Sequence, residues 1–205
     1  MTALAALVDR AAALCQGDQR AVLGLAGAPG AGKSTLAAAL VDALGGRAVL
    51  VPLDGFHLDD PVLDALGRRD RKGAPDTFDA AGYVALLRRL HARDDDVVYA
   101  PEFRRAQEQA VAGAIPVPRE VPLVVTEGNY LLADGRFAPV RPLLTEAWFL
   151  DVDPGLRRRR LVDRHVAHGR SPEAAEHWVA GSDDANAALV EATRARADLV
   201  VTLAP

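Results

Sequence analysis

Lys33 and Lys72 are the two lysines among 24 basic residues, and Lys33 sits in GAPGAGKST, residues 27–35. Gly27, Gly32, Lys33 and Ser34 meet the spacing GxxxxGK[ST], with Ala28, Pro29, Gly30 and Ala31 between the outer glycines and Thr35 following. Glycines let the backbone turn tightly and aim several N–H groups inward, which makes a cradle for anionic oxygens. The apolar run AVLGLA (21–26) has strand length, and STLAAALVDAL (34–44) is rich in helix formers. A helix starting there adds its positive N-terminal end to the cradle. In such a setting the lysine reaches the β- and γ-phosphates and the serine hydroxyl ligates Mg²⁺. The chemistry is capture of the phosphates of a nucleoside triphosphate. With no nucleotide bound, the lysine is expected to face solvent.

Two acids and a group of arginines could complete this site. Asp54 ends the run AVLVPL and opens DGFHLDD. A carboxylate there would face the phosphate site across one strand–helix–strand unit, to accept a proton from an attacking hydroxyl or to hold Mg²⁺ through water. An Asp-Gly turn is the competing reading. His57 is a weaker substrate-side candidate, since a histidine near a helix start is often a cap or a surface residue. Glu127 follows PLVVT and precedes GNY. An acid closing an apolar strand is the usual companion of such a loop, where it orders Mg²⁺ and its water; structural capping is the alternative. In GLRRRRLVDRHVAHGR (155–170), Arg160 and Arg164 are four apart and share a helix face, with Arg157 near them. On a mobile helix they would close over a triphosphate and neutralise charge as the phosphoryl group moves. A solvated basic face would carry the same pattern.

The elements that must position these residues follow from the rest of the chain. Its 205 residues suit one domain, or one domain with a small appended lid, and a hydrophobic half is enough for an ordinary core. Apolar runs recur at 21–26, 48–53, 97–99, 121–126, 147–152 and 198–203, and helix-like stretches lie at 34–44, 80–92, 154–168 and 172–193. That alternation predicts a mostly parallel sheet covered on both faces, with ligands at the carboxyl ends of its strands. Residues 99–120, with Pro101, Pro116 and Pro118, predict an irregular excursion or hairpin rather than a core helix. It would carry substrate contacts or be an inert surface loop.

Composition narrows the setting. The net charge of −4 argues against a general nucleic-acid binder. No apolar run approaches the roughly 20 residues of a membrane span. The N-terminal MTALAALVDRAAALCQGD lacks a basic leader and is broken by Asp9 and Arg10, so an amphipathic helix is expected rather than a signal peptide. The single cysteine, Cys15, excludes an internal disulfide. These features favour a cytoplasmic protein without nucleic-acid or membrane partners, and they are compatible with a homodimer.

Taken together, GAPGAGKS (27–34), PLDGFHLDD (52–60), RKGAPDTFD (71–79), TEGNYLL (126–132), RRLVDRHVAHGR (159–170) and DDANAALV (183–190) resemble the P-loop kinases that include uridine kinase, pantothenate kinase and phosphoribulokinase. The likeness is nearest to their branch of nucleoside/nucleotide-kinase-like and fructose-transport-system-kinase-like proteins, and it covers nearly the whole chain. It implies a P-loop NTPase fold over 1–205 as a single kinase domain, with a substrate-side excursion at about 99–120 and a small helical lid at about 154–170. It also implies ATP and Mg²⁺ as cofactors and a small-molecule hydroxyl acceptor: a nucleoside, a sugar or a pantothenate-like hydroxy acid. By this resemblance Asp54 is the catalytic base, Lys33 and Ser34 bind the triphosphate and Mg²⁺, and Arg160 and Arg164 belong to the lid. Lys72 to Phe78, Arg105 and Tyr130 would surround the acceptor. Related chains often read Pro-x-Phe/Tyr-Asp-Arg where this one reads PEFRR, so Arg104 replaces an aspartate that helps hold the nucleoside in uridine kinases. The extra arginine points to an anionic acceptor or to a plain surface position. The rival class is a regulatory nucleotide-binding switch, but the guanine-reading Asn/Thr-Lys-x-Asp segment of such switches is absent from the sequence.

Overall fold

AVLGLA forms strand β1 (Ala21–Ala26), every residue of which is buried. A strand apolar on both sides can only be central, and β1 lies in the middle of a five-stranded sheet. In the computed structural model, which describes residues 3–202, the chain runs from helix α1 (Leu4–Leu14) through β1 to α2 (Lys33–Leu44) and β2 (Ala48–Leu50). It continues through α3 (Asp60–Ala65) and α4 (Ala80–Ala92) into β3 (Val97–Arg104) and β4 (Gln109–Pro118). Then follow β5 (Leu123–Gly128), β6 (Glu146–Asp151), α5 (Pro154–Ala167), α6 (Pro172–Trp178), α7 (Asp184–Glu191) and β7 (Leu199–Thr202). The sheet order is β2-β5-β1-β6-β7, with every pairing parallel.

Side chains alternate across this sheet and make two cores. Val22, Val124 and Phe149 join Tyr83, Leu87 and Leu90 of α4 on one face. Leu23, Leu25, Val125 and Trp148 join Leu7 and Ala11 of α1 and Leu36 and Leu40 of α2 on the other. Helices therefore cover both faces, as the alternation of runs implied. The N-terminal amphipathic helix is α1, which buries Leu7 and Ala11.

Three expectations change. The apolar run at 97–99 is not a sheet strand: it opens β3, which pairs antiparallel with β4 in a separate two-stranded hairpin. Pro101, Pro116 and Pro118 supply no N–H, and a strand lacking those donors cannot serve inside a parallel ladder. The run at 48–53 gives a strand only to Leu50; Leu53–Phe56 turns into a 3₁₀ helix. The stretch 172–193 is not one helix. A π-helical turn, Val179–Asp183, divides α6 from α7, and Gly181 and Ser182 within it are weak helix formers. Arg20 ties the hairpin base to the body: its buried guanidinium donates to the carbonyls of Leu90, Pro118, Arg119 and Val121.

Candidate active site

The loop after β1 is held by its glycines. Gly30 has φ +80°, and a Cβ there would come within 2.9 Å of Leu161 Cγ and 3.0 Å of the Arg157 carbonyl. Only glycine lets the loop lie against α5 so closely. Gly32, at φ 92°, is the left-handed residue from which α2 starts. The first-turn N–H groups of α2 and its positive end are thus aimed at the loop's mouth.

Lys33 does not face solvent. It is 7% exposed, and its Nζ donates to the Ala28 carbonyl at 3.1 Å and to Asn129 Oδ1 at 2.8 Å. Burial lowers its pKa, opposed by the charges of Glu127 and Asp54. In the absence of phosphate oxygens the ammonium takes protein acceptors, because an unpaired buried charge is costly. Ser34 Oγ donates to Glu127 Oε1 at 2.9 Å. Glu127 is buried, and burial first, then the nearby Asp54 charge, raise its carboxyl above the usual range.

Sheet order explains this meeting. β5 lies between β1 and β2, with Leu25 opposite Glu127 and Leu50 opposite Val125. Glu127 therefore sits between the phosphate loop and Asp54, rather than Asp54 flanking the loop directly. Asp54 lies in the 3₁₀ turn after β2. Its carbonyl accepts from His57 Nδ1 at 2.9 Å, and its Oδ2 accepts from Arg105 Nη2 at 3.2 Å. Burial lowers the pKa of His57; its ring packs on Phe78 and Phe103, with centroids 4.0 and 5.0 Å away.

A cleft of about 860 Å³ joins these groups. Pro29, Gly30, Gly32, Lys33, Ser34 and Thr35 line its phosphate end, Arg160 and Arg164 its α5 wall, and Asp54, His57, Lys72, Phe78 and Arg105 its other end. Lys72 donates to Asp60 Oδ1 at 2.7 Å and to the Glu108 carbonyl at 3.1 Å, which clasps the hairpin turn to α3. Ala31 faces a second pocket of about 340 Å³ beside β6 and β7, lined also by Asp151, Arg160 and Val201. Gly27 and Ala28 belong to the loop but line neither.

Four candidates sit differently from their expected places. Arg104 is not at the cleft: it is exposed and pairs with Glu102 at 3.3 Å on the same face of β3. β3 ends at Arg104, and Arg105, the first residue of the turn that follows, is the one that reaches Asp54. Glu127 lies behind Ser34 rather than on the cleft wall. Tyr130 is fully buried; its hydroxyl donates to the Gly73 carbonyl at 2.6 Å and fixes the loop that presents Phe78. Arg157 is buried and donates to Asp184 Oδ1 at 2.5 Å, fastening α5 to α7 instead of lining the cleft.

Sequence reasoning does not single out Asn129, His165, Arg170, Trp178, Asp183 or Asn186, all of which line the cleft. His165 Nε2 lies 2.9 Å from Asp183 Oδ2, and the Arg170 guanidinium lies 4.1 Å over the Trp178 ring. Asn129 had a signal two residues beyond Glu127 in TEGNY. The others depend on how α5, α6 and the π turn fold back.

Among the described residues no group of three or more His, Cys, Asp or Glu gathers to hold a metal. The donors present nevertheless suit Mg²⁺: a serine hydroxyl, a buried carboxylate bonded to it, and a second carboxylate felt by the first. Mg²⁺ in such sites keeps several waters and shares its shell with substrate phosphates.

A model of the family described as phosphoribulokinase/uridine kinase matches residues 22–205. The chain belongs to that family. A Schizosaccharomyces pombe protein described as a candidate uridine kinase is 32% identical over 207 residues, covering 95% of this chain and 88% of its own. A pantothenate kinase of Sorangium cellulosum is 29% identical over 90% of this chain and 69% of its own. The crystal structure of a candidate fructose transport system kinase from Silicibacter sp. TM1040 superposes with a TM-score of 0.89 at 38% identity, covering 98% of this chain and all of that one. The fold is therefore that of the P-loop kinases: a parallel sheet, helices on both faces, and a phosphate loop after the first strand. No described helix is long and apolar enough to cross a membrane.

Proposed function

We propose that this chain is an ATP- and Mg²⁺-dependent kinase that phosphorylates a hydroxyl of a small metabolite. One observation carries the reading: Asp54 lines the same cleft as Lys33 and Ser34, with Glu127 between them and aromatic walls beyond. The acceptor class consistent with the family is a nucleoside, a sugar or a pantothenate-like hydroxy acid. The first-turn amides of α2 and the Lys33 ammonium hold the triphosphate. Ser34 and Glu127 would hold Mg²⁺, which would supply charge neutralisation on the phosphates.

Each remaining role falls to the chain's own groups. Lys33 exchanges Asn129 and the Ala28 carbonyl for phosphate oxygens. Asp54 orients the acceptor hydroxyl and takes its proton. Arg160, whose Nη1 lies 3.8 Å from where a Gly32 Cβ would be, covers the loop. Arg164, one turn on, faces the charge of the transferring phosphoryl. Residues 154–170 act as a lid, and the 97–118 hairpin forms the acceptor wall. The pocket beside β6 and β7 suits the nucleotide's base. Acceptor-dependent ADP release, measured across hydroxyl-bearing metabolites, tests the reading. A kinase turns over slowly with ATP alone and fast with its acceptor; ATP hydrolysis indifferent to every acceptor points to a nucleotide switch instead.

A further inference from the structure

Asp54, the proposed base, is not free. Arg105, on the turn joining β3 and β4, donates to the same carboxylate that the reaction needs. The pair is an open one, with Arg105 about half exposed and Asp54 about a third. Exposed ion pairs contribute little, so this contact exchanges easily for a better one.

Of the cleft's other carboxylates, Glu108 lies on the same turn with its Oε2 3.8 Å from Lys72, and the remaining two are engaged more closely. Asp60 is engaged by Lys72 and by Arg69, each at 2.7 Å. Asp183 is engaged by His165 at 2.9 Å. Across the cleft stands Arg164, half-buried and, among the described residues, without a hydrogen-bonding or ion-pair partner for its guanidinium. Arg105 is near enough that its charge, after burial, helps lower the pKa of Arg164. Arg105 thus contacts the carboxylate required as base, while the charge of Arg164 is favoured first by Asp183 and then by Asp54 and Glu108. Bringing like charges together in a half-buried cleft is unfavourable unless an anion joins them.

We propose that the acceptor carries a fixed negative charge, a carboxylate or a phosphate beside its reactive hydroxyl, and that this anion draws Arg105 away from Asp54. This rests on the kinase reading above. Guanidinium forks match both anions in a bidentate way, so the exchange favours the ligand over a single 3.2 Å contact. Asp54 is then released to its task. The acceptor oxygen bonds to the γ-phosphorus as the bond to the ADP oxygen breaks, and the hydroxyl proton passes to Asp54 and then to solvent. Until such an acceptor arrives, Arg105 keeps Asp54 occupied, which restrains transfer to water. Arg104 has no part in this, because it faces away.

Matched acceptors that differ only in charge test the idea: glycerol, glycerate and glycerol phosphate, and likewise ribose, ribonate and ribose 5-phosphate. In the wild type, kcat/KM for a charged member should exceed that of its neutral counterpart by about tenfold or more. The carboxylate and phosphate arms tell which anion is preferred. Arg105→Gln should raise KM for the charged acceptor by roughly 10²-fold and raise acceptor-free ATP hydrolysis several-fold, while Arg105→Lys recovers part of both. The excess hydrolysis should vanish in Arg105→Gln/Asp54→Asn. Neutral and charged acceptors used equally well would overturn the inference and leave the kinase reading standing. If no acceptor stimulates turnover, the kinase reading fails. Acceptor-free hydrolysis that is identical in wild type and Arg105→Gln overturns the inference by itself.

Discussion

At the cleft and just behind its wall, three side chains have separable proposed roles. A positioned base contributes about 10²–10⁴-fold, so Asp54→Asn should lower kcat by that order. ATP affinity, measured calorimetrically, should move less than about tenfold. Glu127 gives a different signature. Its raised carboxyl pKa, caused by burial and by Asp54, means the folded state disfavours its ionised form. The sign follows from linkage: a folded pKa above the usual value of 4.5 makes stability fall as pH rises above 4.5 towards the folded value. Glu127→Gln should therefore raise the Tm of the nucleotide-free protein at pH 7 while weakening Mg²⁺-dependent turnover. An unchanged Mg²⁺ dependence would remove Glu127 from the metal's environment. Lys33→Ala should abolish most turnover, as the motif implies. It also strips Asn129 Oδ1 and the Ala28 carbonyl of their donor, so a modest loss of stability should accompany it. Neither partner is visible in the spacing GxxxxGK[ST]. The motif names the phosphate ligand and says nothing of where its ammonium rests when the phosphates are gone.

The next scale is that of elements, and two glycines set how they meet. A Cβ on Gly55 would lie 2.4 Å from the Pro101 carbonyl, so the turn bearing Asp54 rests directly on the hairpin backbone. Gly55→Ala must push the two apart, because the obstacle is backbone rather than a flexible side chain. It should depress kcat and raise KM for the acceptor while nucleotide binding stays near normal. If all three parameters stay unchanged, the hairpin has no part in the acceptor site. Gly30→Ala is strained twice, by φ +80° and by contact with α5; it should cost about 1 kcal/mol or more of stability in denaturant titrations and loosen Arg160 from the loop. The sequence located the hairpin by its prolines, and α5 as a helix-like stretch at 154–168. It did not reveal that α6 and α7 are parted by a π turn. That turn brings Asp183 to His165, a contact made between elements and not within one.

For the molecule as a whole, the cleft joins segments from α2 to α7, so ligand binding should be felt over most of the chain. ATP with Mg²⁺ at about 100 times its Kd should stabilise the fold by about 2.7 kcal/mol, a shift readable in Tm and absent in Lys33→Ala. A bisubstrate analogue should increase hydrogen-exchange protection across 154–183 and 97–118 together; protection confined to the phosphate loop would return both segments to a purely structural role. Local pattern was enough to determine the β1–loop–α2 unit and the parallel α/β class, and it picked out several residues that line the cleft, since periodicity and turn chemistry act between near neighbours. The resemblance of GAPGAGKS, PLDGFHLDD and RKGAPDTFD implied the roles proposed for them. What the sequence could not decide were relations between distant segments. The order β2-β5-β1 puts Glu127 between Ser34 and Asp54, although the chain meets Asp54 first. Arg104 ends β3 and pairs with Glu102, while Arg105 in the turn beyond reaches Asp54, when two adjacent arginines read alike on paper. Arg157 is committed to Asp184 only because α7 packs on α5. Each outcome depends on which strand fills a slot or which face meets a neighbour, and those are fixed by packing the whole core at once.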